Sequence, residues 1–357
     1  MTRKKMAIGL FSLLVSVGVM LCCFVGCSND KKPTLYLYTW ADYIDPNFVE
    51  RFEQENNCSV CVDTFDCNEA AFAKLMAGAD GYDIVVPTTY IIPALKKANL
   101  IEKFDLDKLP NVKTNFDIRL KTEKRPDMLE WYVPYAFSLT GIIYRKDKAP
   151  ADLKFEDWND MFDSRLHGRI CILNDIREII GLGLKMSGFS VNSRDSSEIA
   201  KATAVAKDWK YKCVKMDNEA YRTGIMSAEF YTAMAYASDA IQLMIDDQEL
   251  LSFTVPTNGT TCSFDSMVIL KKSRQKELAY KFINDLYDVK NAAKNAEYIC
   301  APVPVAGIDA YLSDEYKKIP FTSITDEVLK LAEDIEDIGD SLDLYTKAWD
   351  QIKSIRK

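Results

Sequence analysis

An α/β fold is the expectation from this sequence, and three observations carry it. Short apolar runs alternate with segments of helical periodicity along nearly the whole chain. Two β-α-β steps follow one another early in the body, which favours a parallel sheet, since a parallel pair needs a crossover of helix length. The composition is globular, with 48% hydrophobic and 27% charged residues over 357 positions. That length allows about two domains and a well-buried core.

In order along the body, residues 34–38 read as a strand and 46–54 as a helix. Residues 59–65 alternate as a strand, and 68–77 turn helical. Asp83-Ile84-Val85-Val86 is a buried strand stopped by Pro87, and a helix follows over 90–98. Functional residues of such sheets sit on the loops beyond the strands' carboxyl ends. Those loops hold Trp40, Tyr43, Asp66, Thr88, Thr89 and Tyr90. Further on, 131–135, 139–144 and 169–173 read as strands. Residues 175–185, 196–212 and 218–227 read as helices. A strand over 230–236 leads into a helix over 238–250. A strand over 265–270 precedes helices over 276–287 and 292–297, and 326–357 looks largely helical. No linker rich in Gly, Pro or Ser divides the chain, so two domains would share it in several crossings.

The first residues read as an address. Arg3, Lys4 and Lys5 precede an uncharged apolar run from Met6 to Val25, the pattern of a secretory signal peptide over residues 1–26. Phe24-Val25-Gly26-Cys27 resembles a bacterial lipobox, with Cys27 acylated and residues 27–33 as tether. An uncleaved anchor or plain secretion are the alternatives, and all three place the body outside the cytoplasm. Loss of residues 1–26 takes three positive charges from the chain's −8 and leaves −11. That acidity, with a pI near 5.0, argues against nucleic acid or anionic lipid as a partner.

Asp175 and Glu178 are three apart at a helix start, so they share a face of the first turn. They fit a capping box, the reading the spacing alone favours, or a carboxylate pair holding a cation; paired-carboxylate catalysis has no other support. The aromatic residues Trp40, Tyr43, Tyr90 and Tyr236 crowd loop positions. Aromatic faces attract alkylammonium groups by about 0.5–2 kcal/mol each, although each ring could equally be core packing. Asp265 stands at the mouth of an apolar strand. Seven of the ten cysteines lie in the body, an odd number, and most read as small buried hydrophobes. Cys58 and Cys61 form a C-x-x-C at a strand entry, where a redox motif would instead open a helix. His167 is the only histidine, so no two-histidine metal site or histidine relay exists. No phosphate loop, zinc-protease motif or nucleophile elbow appears. Nothing calls for a cofactor or metal, and an enzyme is a weak reading.

Leu35-Tyr36-Leu37-Tyr38-Thr39-Trp40-Ala41-Asp42-Tyr43 resembles the opening strand and loop of the periplasmic spermidine/putrescine-binding proteins of bacterial ABC importers. Gly81-Tyr82-Asp83-Ile84-Val85-Val86-Pro87-Thr88-Thr89-Tyr90 is similar to a second stretch of that family. Asp175-Ile176-Arg177-Glu178 and Phe264-Asp265-Ser266 are similar to two more. The resemblance runs in order over nearly the whole mature chain. It implies a two-lobed α/β binding protein closing on a polyamine in the cleft, with a first lobe of 34–137 and 264–305 and a second of 138–263 and 306–357. It implies Trp40, Asp42, Tyr43, Thr88 and Tyr90 as ligand contacts from the first lobe. Asp175, Glu178 and Tyr236 would come from the second, with Asp265 near a crossing. Its implied partners are putrescine or spermidine and an ABC permease with its ATPase subunits, the protein itself being a monomer held to a membrane only by lipid. Three positions depart from the family: Tyr236 stands for a usual Trp, Ser263 for an aromatic residue, and Ala301 for a cleft Tyr. No clear match to the family's late Gln lies near Ile335. Another cationic or polar solute, or a ligand sensor on the same fold, are the alternatives.

Overall fold

Among the described residues ten strands, numbered in chain order, build one mixed sheet in the order β2-β1-β3-β9-β4-β7-β5-β6, with β10 added on β9 and β8 on β4. The computed structural model describes residues 32–355. The signal peptide and the acylation site expected at Cys27 lie outside the described residues. Among those described, no helix is long and apolar enough to cross a membrane.

The N-terminal elements follow local chemistry. β1 (Thr34–Thr39) buries Leu35 and Leu37 and pairs in parallel with β2 (Ser59–Thr64) on one side and β3 (Ile84–Val85) on the other. Between them lie α1 (Pro46–Asn56) and α2 (Asn68–Met76). The Asp45 side chain accepts the Asn47 N–H and starts α1, and Asn57 ends it at φ 48°. Beyond β3, Thr89–Ile91 make a 3₁₀ turn and α3 (Ile92–Lys97) begins only at Ile92, with Pro93 in its first turn. The helix expected from Tyr90 therefore starts two residues later, and Tyr90 sits on the turn. α4 spans Pro110–Asn115.

The centre differs most from expectation. Residues 133–145 form one strand, β4 (Val133–Arg145), where two were expected. Its middle shows no two-residue alternation because both faces are buried. β5 (Ile170–Ile172), α5 (Ile176–Met186), α6 (Ser196–Lys212), β6 (Lys215–Met216), α7 (Ala220–Met226), β7 (Thr232–Tyr236) and α8 (Ala237–Asp247) follow. Gly183 lets α5 approach α6 closely, since a Cβ there would stand 2.8 Å from the Ala202 carbonyl oxygen. β8 (Leu251–Thr254), not expected, pairs with the end of β4. β9 runs Thr260–Ile269, starting five residues before the strand expected at 265. Its polar opening residues are buried because β4 and β10 flank them.

After α9 (Lys276–Leu286), α10 (Val289–Ile299) and α11 (Asp314–Lys317), the C-terminal stretch is not one helix. α12 (Asp326–Leu331) stops at β10 (Ala332–Asp334), and α13 (Leu342–Lys353) closes the described chain. β10 holds an extended course because it pairs in parallel with Thr260–Cys262 and the Ile335 N–H then reaches the Cys262 carbonyl at 2.8 Å. β4 and β9, antiparallel at the centre, thus join a β3-β1-β2 flank to a β7-β5-β6 flank. Phe48, Phe52 and Phe282 pack edge-on or stacked on the first side, and Phe162 stacks on Trp209 at 5.4 Å on the second.

Candidate functional site

Thr261, Ser263 and Asp265 share one face of β9, because side chains two apart in a strand point the same way. Each end of this polar row meets residues from a different flank of the sheet. At one end Asp265 is 9% exposed, and its two oxygens take two donors. The Tyr43 phenol donates to Oδ2 at 2.7 Å and the Thr88 hydroxyl to Oδ1 at 2.7 Å. Burial holds the Asp265 carboxyl above the usual carboxylate range, and the two hydroxyls only partly offset it. Asp265 therefore stands within β9, opposite Ala136 on β4, rather than at the strand's mouth.

At the other end the Thr261 hydroxyl donates to Glu178 Oε2 at 2.5 Å. Asp175 is the N-cap of α5, accepting the backbone N–H of Arg177 at 2.8 Å and of Glu178 at 3.0 Å. Half of the anticipated capping box is therefore present. The Glu178 carboxylate turns to β9 instead of reaching back to the cap. Burial raises both carboxyls, and the Asp175 charge raises Glu178 further. Arg177 is buried beside them, with its Nη1 on the Glu336 carbonyl at 2.7 Å and its Nη2 on Asn192 Oδ1 at 2.8 Å.

The aromatic positions flank these carboxylates. Tyr236 ends β7 and caps α8, and its phenol lies within the fields of Asp175 and Glu178. Trp40 follows β1 and packs on Phe65 at 4.5 Å. Tyr90 feels Asp175 from the opposite flank and donates to Glu69 at 3.0 Å. Asp42 stands exposed at φ 51°, outside this hydrogen-bond network. Ser263 is half-buried between the two ends of the row, Ala301 is buried, and Ile335 is 6% exposed. His167 is exposed and its Nε2 meets the Phe162 carbonyl at 3.2 Å.

Several contributors carried no sequence signal. Asn68, at the start of α2, contacts Thr88 and Tyr90. Glu69 adds a carboxylate whose charge reaches Asp175. The Tyr135 phenol holds the Tyr43 carbonyl at 2.5 Å and accepts from Asn295 at 2.9 Å. Behind Tyr236, the Tyr221 phenol donates to Asp239, another carboxyl raised by burial. Each contact spans tens to hundreds of residues or looks like an ordinary helix start, so no local pattern reveals it. A cavity of about 310 Å³ adjoins Tyr90, lined also by Tyr132, Phe264, Arg125 and Asp334. There Arg125 grips Asp334 in a bidentate pair at 2.5 and 2.8 Å.

No group of three or more His, Cys, Asp or Glu among the described residues is placed to hold a metal ion. Chemically, the site offers acceptor-only carboxylates, phenols and ring faces. That set suits a cation carried on an apolar stem.

Comparison with known proteins agrees with the architecture. Residues 47–320 match the family described as bacterial extracellular solute-binding protein. A putrescine/cadaverine-binding protein of Pseudomonas aeruginosa is 31% identical over 80% of this chain and 83% of its own. A spermidine/putrescine ABC transporter substrate-binding protein of Streptococcus pneumoniae superposes with a TM-score of 0.82 at 27% identity, covering 91% of this chain and all of that one. A lipoprotein of Treponema pallidum superposes with a TM-score of 0.81 at 30% identity, over 89% of this chain and 99% of that one.

Proposed function

The chain belongs to the family of bacterial extracellular solute-binding proteins, and from that premise we propose that it captures a linear polyamine, putrescine or spermidine, and delivers it to an ABC permease. The observation that carries the reading is the polar row on β9. Asp265 and Glu178 are anchored to the same strand face four residues apart, at Asp265 itself and at Thr261, which is about 13 Å along a strand. Carboxylates held at the two ends of this row, with the Tyr43 phenol at one and the Tyr236 phenol near the other, suit ammonium groups at the ends of a short alkyl chain. Burying either carboxylate alone is costly, and a ligand cation relieves that cost. The polyamine-binding relatives support the same solute class.

The site residues of this reading are Trp40, Tyr43, Thr88, Tyr90, Asp175, Glu178, Tyr236 and Asp265, with Asp42 at the rim. The lobes are 34–137 with 264–305 and 138–263 with 306–357, the chain passing between them near the facing pair Phe137 and Phe264. Closure is ligand-driven, with an open ligand-free form. The role is that of a periplasmic, monomeric receptor, not an enzyme, lipid-anchored to a membrane through Cys27. Isothermal titration with putrescine and spermidine tests it. Saturable binding of at least one supports the reading, and no binding of either overturns it.

A second reading keeps the clamp and changes the solute, because Ser263 and Ala301 leave less aromatic surface than the family pattern. A thermal-shift panel of cationic and polar solutes separates the two, since a true ligand raises the melting temperature by mass action.

A further inference from the structure

Asn68 makes three hydrogen bonds from a nearly buried position at the start of α2. Its Oδ1 accepts the Thr88 backbone N–H at 3.0 Å. Its Nδ2 lies 3.0 Å from the Thr88 hydroxyl and 3.1 Å from the Tyr90 phenol. A backbone N–H can only donate, so the amide's orientation is determined by the network: oxygen toward Thr88 N, nitrogen toward the two hydroxyls. Each hydroxyl then receives one hydrogen from the amide and has its own single hydrogen left to give. Thr88 faces Asp265 Oδ1 at 2.7 Å, and Tyr90 faces Glu69 Oε1 at 3.0 Å.

We propose that Asn68 is a positioning residue of the binding site: one side-chain amide sets the direction of the Thr88 and Tyr90 hydroxyls, so that both donate to carboxylates of the site. Asn68 touches no ligand in this arrangement. It acts through Thr88 on Asp265 and through Tyr90 on Glu69. The other ionisable groups facing these carboxylates are the Tyr43 and Tyr135 phenols around Asp265, and Asp175 beyond Glu69 and Tyr90. A hydroxyl donating to a carboxylate favours its charged form, which is the form a cation needs. Only the ligand-binding arm of the test below rests on the polyamine reading.

Asn68→Asp preserves shape and the acceptor for Thr88 N–H but removes both donors. The Thr88 hydroxyl then faces two carboxylates with one hydrogen. The titration midpoint of the Asp265 carboxyl, followed by carbon-detected NMR in the ligand-free protein, is expected to rise by about one pH unit, a tenfold gain in proton affinity. With Thr88→Val already present, the same substitution is expected to move it by less than about threefold. A shift that persists in full beside Thr88→Val is the direct field of the new carboxylate and overturns the proposal, as does an unmoved midpoint. Asn68→Ser adds no charge and cannot serve both hydroxyls, so a smaller rise is expected there, and none overturns the proposal even if the Asp variant folds poorly. Putrescine affinity at neutral pH is expected to fall about fivefold or more in Asn68→Asp, although the variant adds negative charge. Equal or tighter binding overturns the proposal. Wild-type protein that binds neither putrescine nor spermidine defeats the polyamine reading instead, and the carboxyl titration still decides the role of Asn68.

Discussion

Glu178 turns away from the helix end it helps to start and accepts the Thr261 hydroxyl at 2.5 Å, tying α5 to β9. Both residues are buried, with Thr261 fully so. Thr261→Val keeps the shape and removes the donor. The Glu178 carboxyl, already raised by burial and by Asp175, then loses one group that favours its charge. Loss of that bond is expected to cost about 1–3 kcal/mol of folding stability near neutral pH and to weaken polyamine binding. Urea unfolding and calorimetric titration of the variant check both. Unchanged values would mean that the contact carries no energy.

Folding and the proposed binding make opposing demands on Asp265. Its charge is buried, and only two hydroxyls compensate it. Asp265→Asn removes the charge with little change of shape. Affinity for polyamine is expected to fall at least about tenfold, while the ligand-free melting temperature stays level or rises, because an unpaired buried charge is a destabilising feature. Glu178→Ala is expected to show the same loss of affinity. Polyamine binding that survives in both variants sinks the site assignment.

The parts of this site that could be read beforehand are those on loops after strands. Trp40, Tyr43, Thr88, Tyr90 and Asp175 follow apolar runs whose strand character is plain from composition alone. β4 was harder, because a strand buried on both faces carries no alternation, and Ala136-Phe137-Ser138 looks like an interruption. β10 was harder still: Ala332-Glu333-Asp334 is extended only because β9 lies alongside it. Thr261 and Asn68 have the same obscurity. Their partners are 83 and 20 residues away, and a threonine in a strand or an asparagine at a helix start is unremarkable until the chain has folded. Sequence pattern thus reports which groups stand on the loops of the candidate site, whereas the donors that orient them arise from tertiary pairing.

The buried carboxyls predict a definite pH response. Burial raises Asp175, Glu178, Asp239 and Asp265 in the folded protein. Between the unfolded carboxylate range and those higher values, the folded state holds more protons than the unfolded chain. Stability then falls as pH rises through that window. A bound cation reverses the preference, since it requires the charged carboxylates. The melting temperature of ligand-free protein is expected to drop between about pH 5 and about pH 7, as pH rises toward the raised Glu178 carboxyl, and saturation with putrescine should reduce the drop. Polyamine affinity should rise over the same range. Differential scanning calorimetry with and without ligand measures both slopes, and parallel curves would contradict the account.

The cysteines allow a chemical check on the fold that does not depend on any ligand. Cys61 lies on the outer strand β2 and Cys67 caps α2, and both are exposed. Cys171, Cys262 and Cys300 are buried. Burial pushes the Cys171 thiol up to about 12 and the Cys300 thiol to about 11. Cys262 is raised as well, by burial and by the Asp334 carboxylate beside it at 3.1 Å. Alkylation needs an accessible thiolate, so both conditions fail at the buried positions. Iodoacetamide applied to the native mature protein is expected to modify Cys61 and Cys67 first, with Cys171, Cys262 and Cys300 reacting at least roughly a hundredfold more slowly until denaturant is added. Peptide mapping by mass spectrometry over time resolves the order. Early labelling of Cys262 would be the most damaging result, because that residue sits where β9, β10 and the Arg125–Asp334 pair meet, and its reactivity would mean that this junction opens in the native state.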